Sequence, residues 1–234
     1  MVSDLHSHIL PEMDDGSASV EESIAMLRME AEQGVTCVVA TPHFYPRYDD
    51  PAHFLEKRAR SELLLRQEMK KHCGLPTLLV GAEVYFFRGM SESDFLPQLT
   101  IGGKDCMLIE MPPAPWPEDF YRELEAIWVK RGILPIVAHI DRYIAPWKTF
   151  RIPEKLAQLP VFVQANAEFF LSRSTAAMAC RMLKAGQIQL LGSDCHDQEA
   201  RKPNLGAAVK YIERKVGSGV LSEICECERR ILGI

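Results

Sequence analysis

The segment DLHSHILPEMDDG, residues 4–16, joins a short apolar start to a dense set of metal-capable side chains. His6 and His8 stand two residues apart, and alternate side chains of an extended strand point to the same face. The two imidazoles can therefore bind one ion together, while Leu5 turns the other way into packing. Imidazole combined with carboxylate suits Zn, Fe or Mn better than Ca or Mg. The segment predicts a first strand that ends in a metal site.

The same design recurs along the chain, because each apolar strand pattern ends at or just before a polar side chain. The predicted strands are MVSDLH (1–6), TCVVAT (36–41), TLLVGAE (77–83), CMLIE (106–110), LPIVAH (134–139), VFVQAN (161–166) and IQLLGSD (188–194). The polar residues at their ends are His6, His43, Glu83, Glu110, His139, Asn166 and Asp194. Helical patterns separate these strands, and such alternation indicates a parallel sheet with right-handed crossovers.

The helical patterns have recognisable ends. Ser19 and Glu22 form a capping-box pattern and Gly34 fits a C-terminal cap, which predicts a first helix between them. Further helices are predicted from about Pro51 to His72, from about Glu118 to Lys130, near residues 173–185 and from Leu205 to Leu232. No repeat, low-complexity segment or linker interrupts the 234 residues, so we expect a single domain over 1–234.

The polar strand ends also discriminate between two kinds of parallel α/β fold. An open doubly wound sheet concentrates its site at one switch point, whereas a barrel builds its functional face from the C-terminal ends of all its strands. Polar residues at every predicted strand end therefore favour a closed or nearly closed sheet. The expectation from the residues is an α/β fold, a closed or nearly closed TIM-like barrel of seven strands with the metal site at the C-terminal ends of the strands.

Composition excludes several classes of function. A net charge of −5 argues against nucleic-acid binding, which usually requires a basic surface. No apolar run reaches the roughly 18 residues of a membrane helix, so stable membrane insertion is not expected. Polar residues begin at Ser3, which argues against a signal peptide, and the seven scattered cysteines are typical of reduced thiols. The expected location is the cytoplasm.

The histidines and acids at the strand ends are too numerous to be explained singly. The residues concerned are His6, His8, Asp15, His43, Glu83, Glu110, His139, Asp194 and His196. Acidic groups that are buried without partners cost several kcal/mol each, so these acids need cations. The set exceeds what one tetrahedral ion requires, which predicts two or three ions with a bridging carboxylate.

Six motifs, DLHSHILPEMDDG, TPHF, GAE, LIE, AHIDRY and SDCH, follow one another in an order that resembles the polymerase-and-histidinol-phosphatase (PHP) superfamily. Within it, the chain is similar to the bacterial CpsB-type tyrosine-protein phosphatases of capsule and exopolysaccharide operons. The resemblance runs from residue 1 to about residue 205, and the ending CERRILGI is also similar. It implies the PHP fold, a distorted seven-stranded barrel with a three-metal centre.

The resemblance assigns a role to each predicted ligand. The first ion is implied to bind His6, His8 and Asp194, and Glu83 to bridge the first two ions. The second ion is completed by Glu110 and His139, and the third is held by Asp15, His43 and His196. Asp14 competes with Asp15 for this place, and Asp4 is assigned a supporting role. The cofactors expected are two or three divalent ions, Mn first, with Fe or Zn as alternatives.

Two arginines close to metal motifs are the implied catalytic residues, because their positions match those expected to grip phosphate. They are Arg142 in HIDRY and Arg201 in SDCHDQEARKP. Guanidinium binds phosphate oxygens in a planar fork, which a point charge cannot reproduce. Asp141 stands where glutamate is commoner in the family, so any carboxylate that steers Arg142 is one methylene shorter here.

The implied reaction is hydrolysis of phosphotyrosine, and the implied partner is the tyrosine-rich tail of a bacterial tyrosine kinase that regulates capsule or exopolysaccharide synthesis. Two other functions stay open: a histidinol-phosphatase-like phosphomonoesterase for small molecules, and a metal-containing binding module without activity. Asp197 is a candidate general acid, although a loop-capping role competes with it. The sequence predicts no oligomeric state.

Two further patterns invite a functional interpretation. Cys195 and Arg201 have the C-x5-R spacing of thiol-based tyrosine phosphatases, but the intervening residues contain no glycine and two carboxylates that would repel phosphate. We therefore interpret this spacing as a coincidence. Aromatic residues near the strand ends and in proline-bearing loops could receive a phenyl ring, or could pack in the core. They are Phe44, Tyr45, Tyr48, Phe86, Phe87, Trp116 and Trp147.

Overall fold

The computed structural model describes residues 2–113, 115–144, 146 and 151–233. Its strands are β1 (Val2–Ser7), β2 (Val35–Ala40), β3 (His43–Phe44), β4 (Thr77–Val80), β5 (Glu83–Tyr85), β6 (Cys106–Glu110), β7 (Leu134–Val137), β8 (Phe162–Asn166) and β9 (Leu190–Gly192). Its helices are α1 (Val20–Glu32), α2 (Pro51–Met69), α3 (Glu118–Arg131), α4 (Asp141–Ile144), α5 (Arg151–Leu156), α6 (Ala167–Leu171), α7 (Ala176–Lys184), α8 (Leu205–Lys215) and α9 (Ser218–Leu232). Short 3₁₀ helices lie between β5 and β6.

The strands form a curled parallel sheet. Their order is β1-β2-β4 in one part and β3-β5-β6-β7-β8-β9 in the other, and all the pairings are parallel. The end of β9 returns to β1, because the Asp194 N–H donates to the His6 carbonyl (2.8 Å) and the His8 N–H donates to the Cys195 carbonyl (2.8 Å). The predicted α/β class and parallel sheet are confirmed, and the C-terminal ends of the strands meet at one edge of the curl.

The strand predicted over 36–41 is β2, and the short β3 follows after Thr41 and Pro42. The strand predicted over 77–83 is interrupted, because β4 ends at Val80 and β5 begins at Glu83. Pro42 has no N–H to donate to the ladder, so its carbonyl alone takes part, accepting from the Glu83 N–H at 3.0 Å. The interruption ends with His43 directly beside Glu83, a register that brings two predicted ligands together.

The helix ends agree with the sequence signals in α1 and at the C-terminus. The Glu22 N–H donates to the Ser19 hydroxyl at 3.2 Å, and Gly34 just beyond the helix has φ of 83°. The stretch predicted to be helical from Leu205 to Leu232 begins and ends at those residues, but it is divided into α8 and α9. Gly217 between them has φ of 112°, a conformation that a continuous helix excludes.

The core anchors the first strand under the metal-capable residues. Leu5 is fully buried with Val39, Leu108, Ile136 and Leu190, which come from four other strands. This packing fixes β1 against the rest of the sheet, as predicted for the residue between two histidine-bearing positions. Within the described ranges, no helix is both long and apolar enough to cross a membrane.

Candidate metal centre

The structure brings the predicted ligands together in three overlapping groups at the C-terminal ends of the strands. In each group the ligand atoms all lie within 4.8 Å of one another. The groups are His6, His8 and Asp194; His43, Glu83 and Glu110; and His8, Asp15, His43 and His196. His139 joins the second group, since its Nε2 lies 2.7 Å from Glu83 Oε1 and 3.8 Å from Glu110 Oε1. Close approach of this kind is what several ions in one site require.

Glu83 lies at the centre of the cluster and faces imidazoles on several sides. Its Oε2 lies 3.1 Å from His6 Nε2 and 3.0 Å from His43 Nδ1. Burial alone raises the pKa of Glu83, but the neighbouring His6 and the hydrogen bonds from His139 and His43 outweigh burial and hold the pKa well below its usual value. The carboxylate is therefore anionic at neutral pH, which a bridging ligand must be.

The outer group lies where the cluster opens to solvent. His196 Nε2 and His43 Nε2 lie 3.4 and 3.6 Å from Asp15 Oδ1, and the Asp15 side chain is 66% exposed. Burial and the nearby His8 lower the pKa of His196 to about 4, so its ring is neutral at pH 7. Its Nε2 is buried without a hydrogen-bond partner among the described residues. A neutral imidazole with a free lone pair is the form that binds a metal ion.

The two neighbouring acids of the DDG motif have different positions. Asp14 accepts a hydrogen bond from His8 Nδ1 at 2.7 Å and another from the His43 N–H at 2.8 Å. It therefore orients two imidazoles from behind, as carboxylates beside metal-bound histidines commonly do. Asp15 instead reaches the open side of the cluster. This difference supports Asp15 over Asp14 as the ligand.

The glycines of two motifs allow the backbone to approach the histidines. A Cβ on Gly16 would lie 2.2 Å from the His8 carbonyl oxygen, and one on Gly192 would lie 2.6 Å from His6 Cβ. Neither distance is compatible with a side chain at these positions. The glycines of DDG and GSD therefore pack the loops onto β1.

Two predicted ligands have backbone conformations that residues other than glycine rarely adopt. The φ angles are 30° for His139 and 56° for Asp194. Each residue lies two positions after the last residue of its strand, β7 or β9, so the left-handed turn comes where the chain leaves the sheet beside the cluster. Such strain persists only where the surroundings impose it, and it is concentrated at functional sites.

Sequence reasoning missed one residue that organises the site, Gln164 on β8. Its Oε1 accepts from the His139 N–H at 2.6 Å and lies 3.3 Å from His6 Nδ1. Its Nε2 donates to Asn166 Oδ1 at 3.0 Å, and Asn166 in turn donates to Asp194 Oδ2 at 2.9 Å. The sequence signal was an amide side chain within the otherwise apolar strand VFVQAN, two residues before Asn166. In the structure Gln164 is fully buried.

Both predicted arginines converge on Asp194. Arg201 Nη2 donates to Asp194 Oδ1 at 2.9 Å, and Arg142 Nη2 donates to Asp194 Oδ2. The two side chains are 40% and 41% exposed, so part of each guanidinium faces the open side of the cluster. Burial raises the pKa of Asp194, but His6, His8 and Arg142 lower it further than burial raises it. The arginines can meet an incoming anion without leaving the site.

Two neighbouring acids take structural positions. Asp141, expected to steer Arg142 if any carboxylate does, accepts from the Asn166 N–H at 3.2 Å. Asp197 Oδ1 accepts from the N–H groups of Glu199 (2.6 Å) and Arg201 (3.1 Å). Asp197 therefore caps the loop that carries Arg201, which is the alternative to a general acid that the sequence left open.

The thiol of Cys195 does not have the environment of a nucleophile. The residue is fully buried, and burial together with the nearby Asp4 and Glu30 raises its pKa well above the usual value for cysteine. Reactive thiols need a lowered pKa and access to substrate. The geometry therefore disfavours thiol chemistry at the Cys195–Arg201 spacing.

The donor set fits divalent metal ions. His6 Nε2 and His8 Nε2 lie 3.2 Å apart, so at least one of these nitrogens presents a lone pair to the other. The buried Nε2 of His196 lacks a hydrogen-bond partner within the described part of the chain. Converging lone pairs among anionic carboxylates are satisfied by cations, and the mixture of imidazole and carboxylate suits Mn, Fe or Zn.

The family model described as capsular polysaccharide synthesis, CpsB/CapC, matches residues 2–232. The chain belongs to this family. The CpsB/CapC match confirms the CpsB-type resemblance that the motifs carry, and it extends beyond residue 205 to the end of α9.

Relatives of known name are similar over nearly the whole chain. The tyrosine-protein phosphatase CpsB of Streptococcus pneumoniae is 28% identical over 231 residues, covering 94% of this chain and 93% of that protein. The tyrosine-protein phosphatase YwqE of Bacillus subtilis is 27% identical over 227 residues, covering 92% and 85%. The tyrosine-protein phosphatase CpsB of Streptococcus agalactiae serotype V is 27% identical over 224 residues, covering 92% and 90%.

The fold of the CpsB/CapC chain has a solved counterpart. A chain from the crystal structures of YwqE from Bacillus subtilis and CpsB from Streptococcus pneumoniae, described as unique metal-dependent tyrosine phosphatases, superposes with a TM-score of 0.84. Its sequence identity is 24%, and the match covers 97% of this chain and 92% of that chain. This likeness shows that the fold is shared.

Proposed function

We propose that this chain is a metal-dependent protein-tyrosine phosphatase, a hydrolase of phosphotyrosine that acts on a bacterial tyrosine kinase regulating capsule or exopolysaccharide synthesis. The observation that carries the proposal is the combination of the imidazole–carboxylate cluster with two arginines that converge on Asp194 at its open side. Membership of the CpsB/CapC family and the names of the relatives give the substrate class.

The proposed ligands are those of the sequence assignment: His6, His8, Asp15, His43, Glu83, Glu110, His139, Asp194 and His196. The proposed cofactors are two or three divalent ions, with Mn preferred over Fe or Zn. When bound, the ions supply charge neutralisation and water activated near neutral pH. The proposed fold is the distorted seven-stranded PHP barrel, and it is proposed to form a single domain over residues 1–234. The proposed location is the cytoplasm.

The protein's own residues bind and orient the phosphate. Arg142 and Arg201 grip the outer phosphoryl oxygens in planar forks and stabilise the charge that develops on them. Asp14 holds His8 by its Nδ1, and Gln164 fixes the backbone of His139, so the imidazoles keep their orientation. A tyrosine leaving group has a pKa of about 10, so it departs with less help from a general acid than an alkyl alcohol needs.

The first test is a substrate screen with added Mn, Fe or Zn. A phosphotyrosine peptide from a bacterial kinase tail should be hydrolysed with a higher kcat/KM than histidinol phosphate, chelation should abolish turnover, and Mn should restore it. A preference for histidinol phosphate would favour the small-molecule phosphomonoesterase instead. A metal-loaded protein without activity on either substrate would indicate a binding module.

The second test concerns the arginines. Arg201→Ala should raise KM and lower kcat with metal content unchanged, because the guanidinium binds phosphate and not metal, and Arg201→Lys should restore little. Arg122→Ala on the exposed side of α3 is the matched control and should match the wild type. Wild-type kinetics in Arg201→Ala would remove this arginine from the site.

A further inference from the structure

Strand geometry places two tyrosines immediately beyond the candidate metal centre. Tyr45 follows His43 by two residues and Tyr85 follows Glu83 by two, and His43 pairs with Glu83 across the sheet. The Tyr45 ring stacks on the His43 ring with centroids 5.0 Å apart, and the Tyr45 and Tyr85 rings lie 5.7 Å apart. The aromatic surface is therefore continuous with the predicted ligands.

These rings belong to a cavity of about 540 Å³, the aromatic pocket. Its walls are Tyr45, Pro46, Arg47, Tyr48, Tyr85, Phe86 and Phe87. A cavity of about 150 Å³ holds benzene, so this one has room for an aryl ring and part of the peptide attached to it. Of the sequence-predicted aromatics, Phe44 is fully buried in the core and Trp147 lies outside the described residues.

A second cavity borders the centre at Asp194 and has a different chemistry. Its volume is about 610 Å³, and its charged lining consists of Arg142, Arg201 and Lys202 with the acids Asp141, Glu168, Asp194 and Glu199. Both arginines pair with Asp194 there. Basic side chains there suit the phosphoryl oxygens, whereas an aryl ring gains from stacking on other rings. A phosphate ester whose phosphoryl group is held by these arginines would therefore gain most by directing its organic group toward Tyr45 and Tyr85.

We propose that the aromatic pocket receives the aryl ring of the phosphate ester, so that Tyr85 and Tyr48 make the enzyme prefer aryl over alkyl phosphomonoesters. This inference rests on the proposed phosphatase function and names the part of the site that selects the substrate. Aromatic contacts of this kind change affinity by about 2- to 10-fold per ring pair. The aryl preference is thus built from several modest contacts.

The test compares two peptides of one sequence, carrying phosphotyrosine or phosphoserine, with metal content measured in every variant. Tyr85→Ala should lower the ratio of their kcat/KM values by about 10-fold, the loss of one stacked ring. Tyr85→Phe should restore most of that ratio. Tyr48→Ala should lower the ratio by a smaller factor. The Tyr48 side chain is 79% exposed, so its removal should leave folding unchanged. Tyr211→Ala on α8 is the control and should keep the wild-type ratio.

An unchanged ratio in both Tyr85→Ala and Tyr48→Ala would overturn the inference, as would equal losses on the two peptides. Tyr45 is left intact because its ring contacts His43. Failure of the proposed function would give a different result: the metal-loaded wild-type protein would hydrolyse neither peptide.

Discussion

Two clusters of buried carboxylates lie close together in this molecule and behave in opposite ways. In the metal centre, Glu83 and Asp194 are almost fully buried, yet their pKa values are lowered. Beneath it, Asp4 and Glu30 are fully buried and their pKa values are raised, that of Glu30 to about 10. Burial is equal in the two places, so the difference must come from what the carboxylates face.

The partners account for the contrast. Glu83 and Asp194 face imidazoles and guanidinium groups, which favour the charged form. Asp4 accepts from the Ser193 N–H at 2.8 Å and the Ser193 hydroxyl at 2.5 Å, which only partly offset its burial. Glu30 has no hydrogen-bond donor on either oxygen within the described residues, so burial and the neighbouring Asp4 keep it protonated. Cationic partners, rather than burial, decide which carboxylates remain ready to bind metal.

The largest effect is expected from removing an imidazole of the metal centre. His139→Ala should lose nearly all phosphatase activity and part of the bound metal, by more than the 10- to 100-fold that is roughly typical of residues that only orient a ligand. Metal analysis and kcat measured with excess Mn check this. His53→Ala, on the exposed face of α2, is the matched control. Full activity in folded His139→Ala would exclude this histidine as a ligand.

A smaller effect is expected from the carboxylate behind the cluster. Asp14→Asn keeps the shape but removes the charge that holds His8 Nδ1, so metal affinity should fall by about 10-fold. Excess metal should then rescue activity, which metal titration of the chelated protein measures. Asp15→Asn should instead impair activity even at saturating metal if Asp15 is a ligand. Identical behaviour of the two variants would contradict their different roles.

The pair of Asp4 and Glu30 should affect the stability of the fold rather than metal binding. Glu30 ionises at its ordinary pKa of 4.5 in the unfolded chain and at about 10 in the folded chain. The unfolded state therefore gains free energy of ionisation as pH rises between these values, and folding stability is lost over that window. Glu30→Gln removes this loss and offers an amide donor to Asp4. Its Tm should exceed that of the wild type by more at pH 8 than at pH 5.

If Glu30→Gln had the same pH dependence of Tm as the wild-type protein, the two clusters would not differ in charge as described. In that case the folded protein would hold Glu30 charged, and the buried pair would need a cation of its own.

The smallest effect is expected at Cys195, which lies between the predicted ligands Asp194 and His196 in sequence. Its thiol packs toward Asp4 and Glu30, so Cys195→Ser should keep most activity and lose about 1 kcal/mol of stability. Thiol alkylation should leave turnover intact in folded protein. An inactive Cys195→Ser protein that is folded and fully metallated, with turnover that persists under chelation, would mean that the nucleophile is the thiol.

The α/β class, the parallel sheet and the family can all be read from the amino-acid sequence alone. Periodicity and polar strand ends are local signals, and HxH spacing on a strand puts His6 and His8 on one face wherever the strand lies. The order of six motifs was enough to identify the CpsB-type resemblance, which the match over residues 2–232 confirms. The ligand assignments stay predictions that the geometry supports.

The residues that support the site, and the carboxylates that stay charged although they are buried, become visible only in the folded chain. The role of Gln164, the separation of Asp14 from Asp15 and the pairing of Asp4 with Glu30 all depend on contacts between segments far apart in sequence. The left-handed turns at His139 and Asp194 likewise arise where packing overrides local propensity. A carboxylate's pKa depends on what surrounds it in space, and the chain order does not contain that information until the sheet curls.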